Sequence, residues 1–271
     1  DWNMLPENKT YKYDFFKDNC ATRLRDVLDK NIAGLIWDTD MTSHKTYRQI
    51  IKEYQQAMPW TNFGIDLIIG APADKPTTLA EEVFIPDYLA QALTNATVNQ
   101  KKLQMATRDL LTFDINPSNP SIIFRPEFFF TLLFIIELFI FFNAYKGKHS
   151  KYIKNYDTLW VIIILLASLL MIFMWFGTDH IPTKYNWNIL WANLLIPLWY
   201  FYGRYKRWAS ILAAIILVCL LITVINAAIQ VLPQYFHPVA AIISLLIIIK
   251  GWRLYTYAAY YNPSPIDIDS F

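Results

Sequence analysis

From about residue 122 onward the chain carries apolar runs long enough to cross a lipid bilayer, and a helical membrane bundle is the natural way to bury them. Spans are predicted at roughly Phe124 to Tyr145, Thr158 to Phe176, Trp187 to Tyr202, Trp208 to Leu232 and Pro238 to Tyr255. A composition that is 55% hydrophobic and only 17% charged agrees with lipid as the solvent. The formal net charge of +2 is too small to indicate a nucleic-acid partner. The basic residues of this half instead report topology. Lys146, Lys148, Lys151 and Lys154 follow the first span, Arg204, Lys206 and Arg207 follow the third, and Lys250 and Arg253 follow the last apolar core. By the positive-inside rule these segments are cytoplasmic, which places residues 1–121 and the loops Gly177 to Asn186 and Pro233 to His237 outside.

Residues before the linker Asn116-Pro117-Ser118-Asn119-Pro120-Ser121 read as a separate extramembrane domain. Helix signals occur around Cys20 to Lys30, Tyr47 to Met58 and Leu79 to Asn95. Between the last two, the Pro59 to Pro72 run is short, apolar and bounded by Gly and Pro, which fits a strand or a buried loop. The domain assignment is therefore 1–121 and 122–271. No signal peptide opens the sequence although residues 1–121 are expected outside the cytoplasm, so the chain is expected to start downstream of a removed or missing segment.

The two cysteines, Cys20 and Cys219, fall in a polar segment and an apolar span, which makes a disulfide between them implausible and leaves two free thiols. A solitary thiol is a liability where disulfides form, and nucleophilic catalysis is one reason to keep it. Cys20 stands where a helix begins, after the capping candidates Asp18 and Asn19, with Arg23 and Arg25 nearby to favour a thiolate. A buried, inert cysteine is the competing reading. Histidine spacing and the absence of Cys pairs give no reason to expect a metal, and no cofactor is expected.

The strings Leu5-Pro6-Glu7-Asn8, Tyr11-Lys12-Tyr13-Asp14-Phe15-Phe16 and Asp18-Asn19-Cys20-Ala21-Thr22-Arg23-Leu24-Arg25-Asp26 form an unusual signature. It resembles the Lnb family of bacterial lipoprotein N-acyltransferases, and the likeness continues through Tyr47-Arg48, Pro59-Trp60, Phe63-Gly64-Ile65-Asp66-Leu67, Gly70 to Lys75 and Phe84 to Leu89. The resemblance implies an α+β papain-like or NlpC/P60-like thiol domain, present in part, followed by an all-α bundle of about five transmembrane helices. It implies Cys20 as nucleophile and Arg48 and Asp66 as buried pairing or supporting groups. The family's histidine belongs upstream of the cysteine, where this sequence has none, so a missing N-terminal half or a separate chain is expected to supply it. The implied substrates are a phospholipid acyl donor and a diacylglyceryl lipoprotein acceptor, at a multi-pass site in the bacterial inner membrane. A membrane-tethered peptidase or amidase is the alternative enzyme, and a transport or assembly subunit the non-enzymatic one.

Further candidates come from individual residues. Asp179 and His180, on the same side as Cys20, suit headgroup binding, substrate orientation or helix capping. Glu137, deep in the first span, has no Lys or Arg at comparable depth in the predicted spans, so helix–helix contact with Asn193, Ser168 or Thr223 is favoured over a lipid path. Cys219 reads as membrane core filler, and His44 as a surface histidine.

Overall fold

The computed structural model describes residues 5–8, 10–37, 45–108, 110–111, 120–144, 151–202 and 209–261. His44, His149, the linker residues 116–119 and the loop cations Lys146, Lys148, Arg204, Lys206 and Arg207 lie outside them. The chain forms two compact units, one comprising residues 1–56, 72–118 and 180–182, the other residues 57–71, 119–179 and 183–271.

The first unit is built from α1 (Cys20–Asn31), β1 (Leu35–Ile36), α2 (Tyr47–Glu53), α4 (Leu79–Glu82), α5 (Pro86–Asn95), β2 (Thr97–Val98) and β3 (Lys101–Lys102), with α3 (Pro59–Ile68) belonging to the second unit. The strands form one antiparallel sheet in the order β1-β2-β3, and the β2–β3 turn takes Asn99 and Gln100 to positive φ, as a two-residue hairpin requires. Thr46 and Thr78 cap α2 and α4 through reciprocal bonds to Gln49 and Glu81. The predicted helix over Leu79 to Asn95 is two helices, because Pro86 lacks the N–H to continue a helix and instead opens α5. Phe16 stacks on Tyr47 at 4.2 Å and Phe84 packs edge-on against Phe16 at 5.5 Å, which closes the core beneath α1.

The second unit holds α6 (Pro126–Ala144), α7 (Lys151–Ile172), α8 (Leu195–Tyr202), α9 (Ala209–Ile229) and α10 (Pro238–Tyr261). Helix α10 packs against both α6 and α9, while α8 joins α7 to α9. Four helices among the described residues are long and apolar enough to cross a membrane. The predicted span Trp187 to Tyr202 differs. It is a 3₁₀ turn, Trp187–Leu190, then the eight-residue α8, about 12 Å long against a hydrocarbon core of roughly 30 Å. Asparagines cause the break: Asn186 caps the turn, and the Asn193 side chain accepts from Leu195 N at the start of α8.

Most of the Pro59 to Pro72 run is helix, α3 (Pro59–Ile68), with Pro59 at its first position, and only its last four residues leave the helix. Its apolar residues Trp60, Phe63 and Leu67 recur at helical spacing, and Phe63 and Leu67 pack on the core of the second unit. The last carbonyls of α3 have no partner inside their own helix. Side chains from far along the chain cap them: Asn188 donates to Asp66 O at 3.0 Å, and Asn186 to Leu67 O at 2.8 Å and Ile68 O at 3.0 Å. Gln234 ties this network together, donating to Asn186 Oδ1 at 3.1 Å and accepting from Trp187 N at 2.7 Å. Gly70 is required here, because a Cβ at that position would fall on the Lys184 carbonyl.

Candidate functional site

Cys20 is the first residue of α1, exposed and not disulfide-bonded. Its position is set by Asn19, whose side chain is only 3% exposed and fully committed. Oδ1 accepts from Ala21 N at 2.9 Å and Thr22 N at 3.0 Å, while Nδ2 donates to Phe15 O at 3.0 Å and Phe84 O at 2.7 Å. Thr22 Oγ1 accepts from Asn19 N at 2.8 Å and completes a capping box. Asn19 is thus a helix cap bolted to the aromatic core. With no free valence, it leaves the chemistry to its neighbour.

The same bonds limit what can stabilise an oxyanion. Ala21 N and Thr22 N are taken by Asn19 Oδ1, and Arg23 N by Asn19 O at 3.0 Å. Among the described residues, the Cys20 N–H is the one N–H of this helix start that these bonds leave available, and it adjoins the thiol. A site using several helix-start N–H groups is therefore not what this capping geometry provides.

The expected positive charge around the thiol is largely neutralised. Asp18 binds Arg23 with two bonds, Nε to Oδ1 at 2.7 Å and Nη2 to Oδ2 at 3.0 Å, and Arg25 is engaged by Asp26 and by Ala80 O. The hydrogen bonds that Arg23 donates to Asp18 raise the pKa of Arg23, whose guanidinium also lies 3.6 Å over the Tyr11 ring. A group that sequence reasoning passed over is Tyr13. Burial, then the charges of Cys20, Tyr11 and Asp14, push the pKa of its hydroxyl upward. Its place in the Tyr11-to-Phe16 string was visible, but no spacing rule links it to Cys20.

The remaining expected residues are dispersed. Arg48, 2% exposed, forms a paired salt bridge with Asp74, Nε to Oδ1 at 2.8 Å and Nη2 to Oδ2 at 2.9 Å. Asp66, also 2% exposed, lies on α3 in the second unit. Asp179 and His180 are exposed, and the division between units falls between them, with His180 in the unit that contains Cys20. His237 is occupied otherwise: its Nδ1 accepts from Val239 N at 3.3 Å and its Nε2 lies 3.4 Å from Glu127. This arrangement caps α10 and assigns the ring proton to Nε2. Cys219 is a partly buried free thiol on α9.

The second unit corrects the reading of Glu137. It is not glue for Ser168, Thr223 or Asn193, each of which bonds a backbone carbonyl of its own segment. Fully buried, Glu137 accepts from Lys250 Nζ at 2.7 Å and Arg253 Nε at 3.0 Å, and Asp157 accepts from the same two cations at 2.8 and 2.5 Å. Lys250 and Arg253 share a face of α10 at a spacing of three, so both reach inward. The cations counted as cytoplasmic markers are the missing partners, because α10 runs on to Tyr261 and α7 starts at Lys151, before Asp157. Among the described residues no group of three or more His, Cys, Asp and Glu could hold a metal ion.

An extramembrane domain with an exposed helix-opening cysteine, joined to a multi-span helical domain, defines a class of membrane proteins with a periplasmic part. Comparison with family models makes this specific. The Lnb transmembrane domain matches residues 118–261 and the Lnb N-terminal periplasmic domain matches residues 1–53. The chain belongs to the Lnb family, and membership suggests a membrane lipoprotein N-acyltransferase-like function. No curated protein matches the chain, and no solved structure does.

Proposed function

We propose that the protein transfers a fatty acyl chain from a membrane phospholipid to the α-amine of a diacylglyceryl-cysteine lipoprotein, through a thioester on Cys20. The observation that carries this is the exposed Cys20 thiol at the first position of α1, beside its own N–H, which the capping bonds of Asn19 leave available among the described residues. The Cys20 thiolate attacks the ester carbonyl, and the Cys20 N–H stabilises the oxyanion that forms. The Tyr13 hydroxyl is assigned to assist, on its charge interaction with Cys20. Collapse breaks the ester C–O bond, and the lysophospholipid leaves as an alcohol after taking a proton. The lipoprotein amine then attacks the thioester, an amide forms, and the thiol is regenerated.

The imidazole that accepts the thiol proton is, on the family resemblance, contributed by polypeptide upstream of Cys20 or by a separate chain. His180 and Asp179 are assigned to the donor headgroup, and Arg48 to holding the domain through Asp74. In this reading residues 1–121 are part of a periplasmic papain-like domain and residues 122–271 the anchoring bundle, in the bacterial inner membrane, with α8 and its preceding turn as a fifth, interrupted crossing. Both substrates reside in the bilayer, which gives a reason for several spans in place of one anchor.

The test is intact-mass analysis after incubation of the protein, together with whichever polypeptide supplies the imidazole, with phospholipid. A hydroxylamine-labile fatty-acyl adduct on Cys20 that Cys20→Ser abolishes is the expected result. Turnover of muropeptides with no such adduct would establish the amidase instead, and acylation unchanged in Cys20→Ser would leave a non-enzymatic subunit.

A further inference from the structure

Where α7 and α9 begin and α10 ends, a cleft of about 610 Å³ lies between α7 and α8 on one side and α9 and α10 on the other. Its inner wall includes Val161, Ile164, Leu220 and Leu246, each no more than 3% exposed. The polar groups along it are few and mostly committed. Lys250 is held by Glu137 and Asp157, and the Tyr200 hydroxyl bonds Thr158 at 3.0 Å. Ordered water needs two to four polar partners, so an apolar wall with a neutralised cation does not favour it. The volume lies within the roughly 300–1,000 Å³ of small-molecule sites.

Gly251 adds an independent observation. It lines the cleft in the interior of α10, where glycine is an unfavourable helix residue, and a Cβ there would meet nothing within 4 Å. No clash forbids a larger residue, and the effect of glycine is to leave the cleft open. Trp252 and Tyr255, both 61% exposed, stand at the same end of α10, as aromatic side chains do near a membrane–water boundary.

We propose that this cleft binds one phospholipid by an acyl chain, as a resident lipid of the bundle. The occupant follows from the setting. The cleft belongs to a transmembrane domain, its lining is apolar, and acyl chains are the apolar matter a bilayer supplies. This site goes beyond the acyl-transfer reading and does not depend on it. The ion cluster ties α7 to α10 beside the cleft and fixes the spacing of its walls.

The test uses the full polypeptide carrying Cys20→Ser, so that no thioester contributes to the mass. The protein is delipidated in detergent, offered dioleoyl-phosphatidylethanolamine and examined by native mass spectrometry. One bound phospholipid per chain is expected, reduced at least tenfold by Gly251→Leu and unchanged by Val218→Phe, which adds bulk to α9 outside the cleft. Should Gly251→Leu fail to fold, Ala213→Phe, on the α9 part of the cleft lining, is read in its place. The proposal is overturned if no lipid is retained, if only fatty acid is retained, or if the cleft-filling variant and Val218→Phe bind equally.

Discussion

Asn19 makes four side-chain hydrogen bonds while nearly sealed from solvent, so its loss removes the α1 cap and orphans the Phe15 and Phe84 carbonyls together. Asn19→Ala is expected to destabilise the periplasmic unit by about 2–4 kcal/mol, combining a lost cap with buried unsatisfied acceptors. Chemical denaturation of the protein followed by near-ultraviolet dichroism checks this, and an effect within experimental error would show that the cap is redundant. Tyr13→Phe separates packing from chemistry, because it removes only the hydroxyl. The expected outcome is about a tenfold lower rate of Cys20 acylation, equivalent to ~1.4 kcal/mol, with unchanged stability. The sequence made Cys20 and Asn19 legible through the helix-start signal and the family likeness. It did not reveal that Asp18 and Arg23 neutralise each other, because both a capping role and a pairing role fit their spacing.

At the level of elements, the ion cluster links α6, α7 and α10, and its charges sum to zero. Removing one member leaves a buried charge without compensation, so Glu137→Gln is expected to cost about 3–5 kcal/mol, read as a lowered midpoint in detergent thermal unfolding. Glu137→Met combined with Lys250→Met leaves Asp157 with Arg253 and should recover most of that loss. A silent single variant would mean that water compensates the cluster. In the other unit, Lys45 bonds Glu53 at 2.7 Å and Tyr88 bonds the same carboxylate at 2.7 Å. Burial alone would raise the Glu53 pKa, but the bonds from Lys45 and Tyr88 outweigh it and hold it below 4.5. A depressed folded pKa contributes stability that is present above the unfolded value and lost as pH falls through the folded one. Amide exchange in α2 should therefore accelerate as pH drops below about 4.5, relative to the intrinsic exchange rate, and Lys45→Met should flatten that dependence. Helices α1, α2, α6, α7, α9 and α10 were readable from caps and apolar length. The interrupted α8 was not, because its asparagines look like isolated polar residues until Asn186 and Asn193 are seen to cap the turns that break it.

Across the whole molecule, the chain order and the compact units do not coincide, since α3 comes before the linker yet belongs to the membrane-domain unit. Gly70 is where that attachment is least forgiving. Gly70→Ala would drive a methyl into the Lys184 backbone, and a loss of about 3 kcal/mol or more in detergent unfolding is expected, while Gly64→Ala on α3, where a Cβ meets nothing within 4 Å, should be near neutral. Equal effects of the two would show that the Lys184 segment yields easily. The sequence by itself determined that this is a membrane bundle joined to an outer domain with one candidate nucleophile, because apolar length, loop charge and helix-start chemistry are local properties written into neighbouring residues. Only the tertiary structure decided that Lys250 and Arg253 neutralise Glu137 and Asp157, and that Asn186, Asn188 and Gln234 cap a helix more than a hundred residues away. Such pairings depend on which helix faces meet, and hydrophobic periodicity fixes that a face is buried without fixing against what.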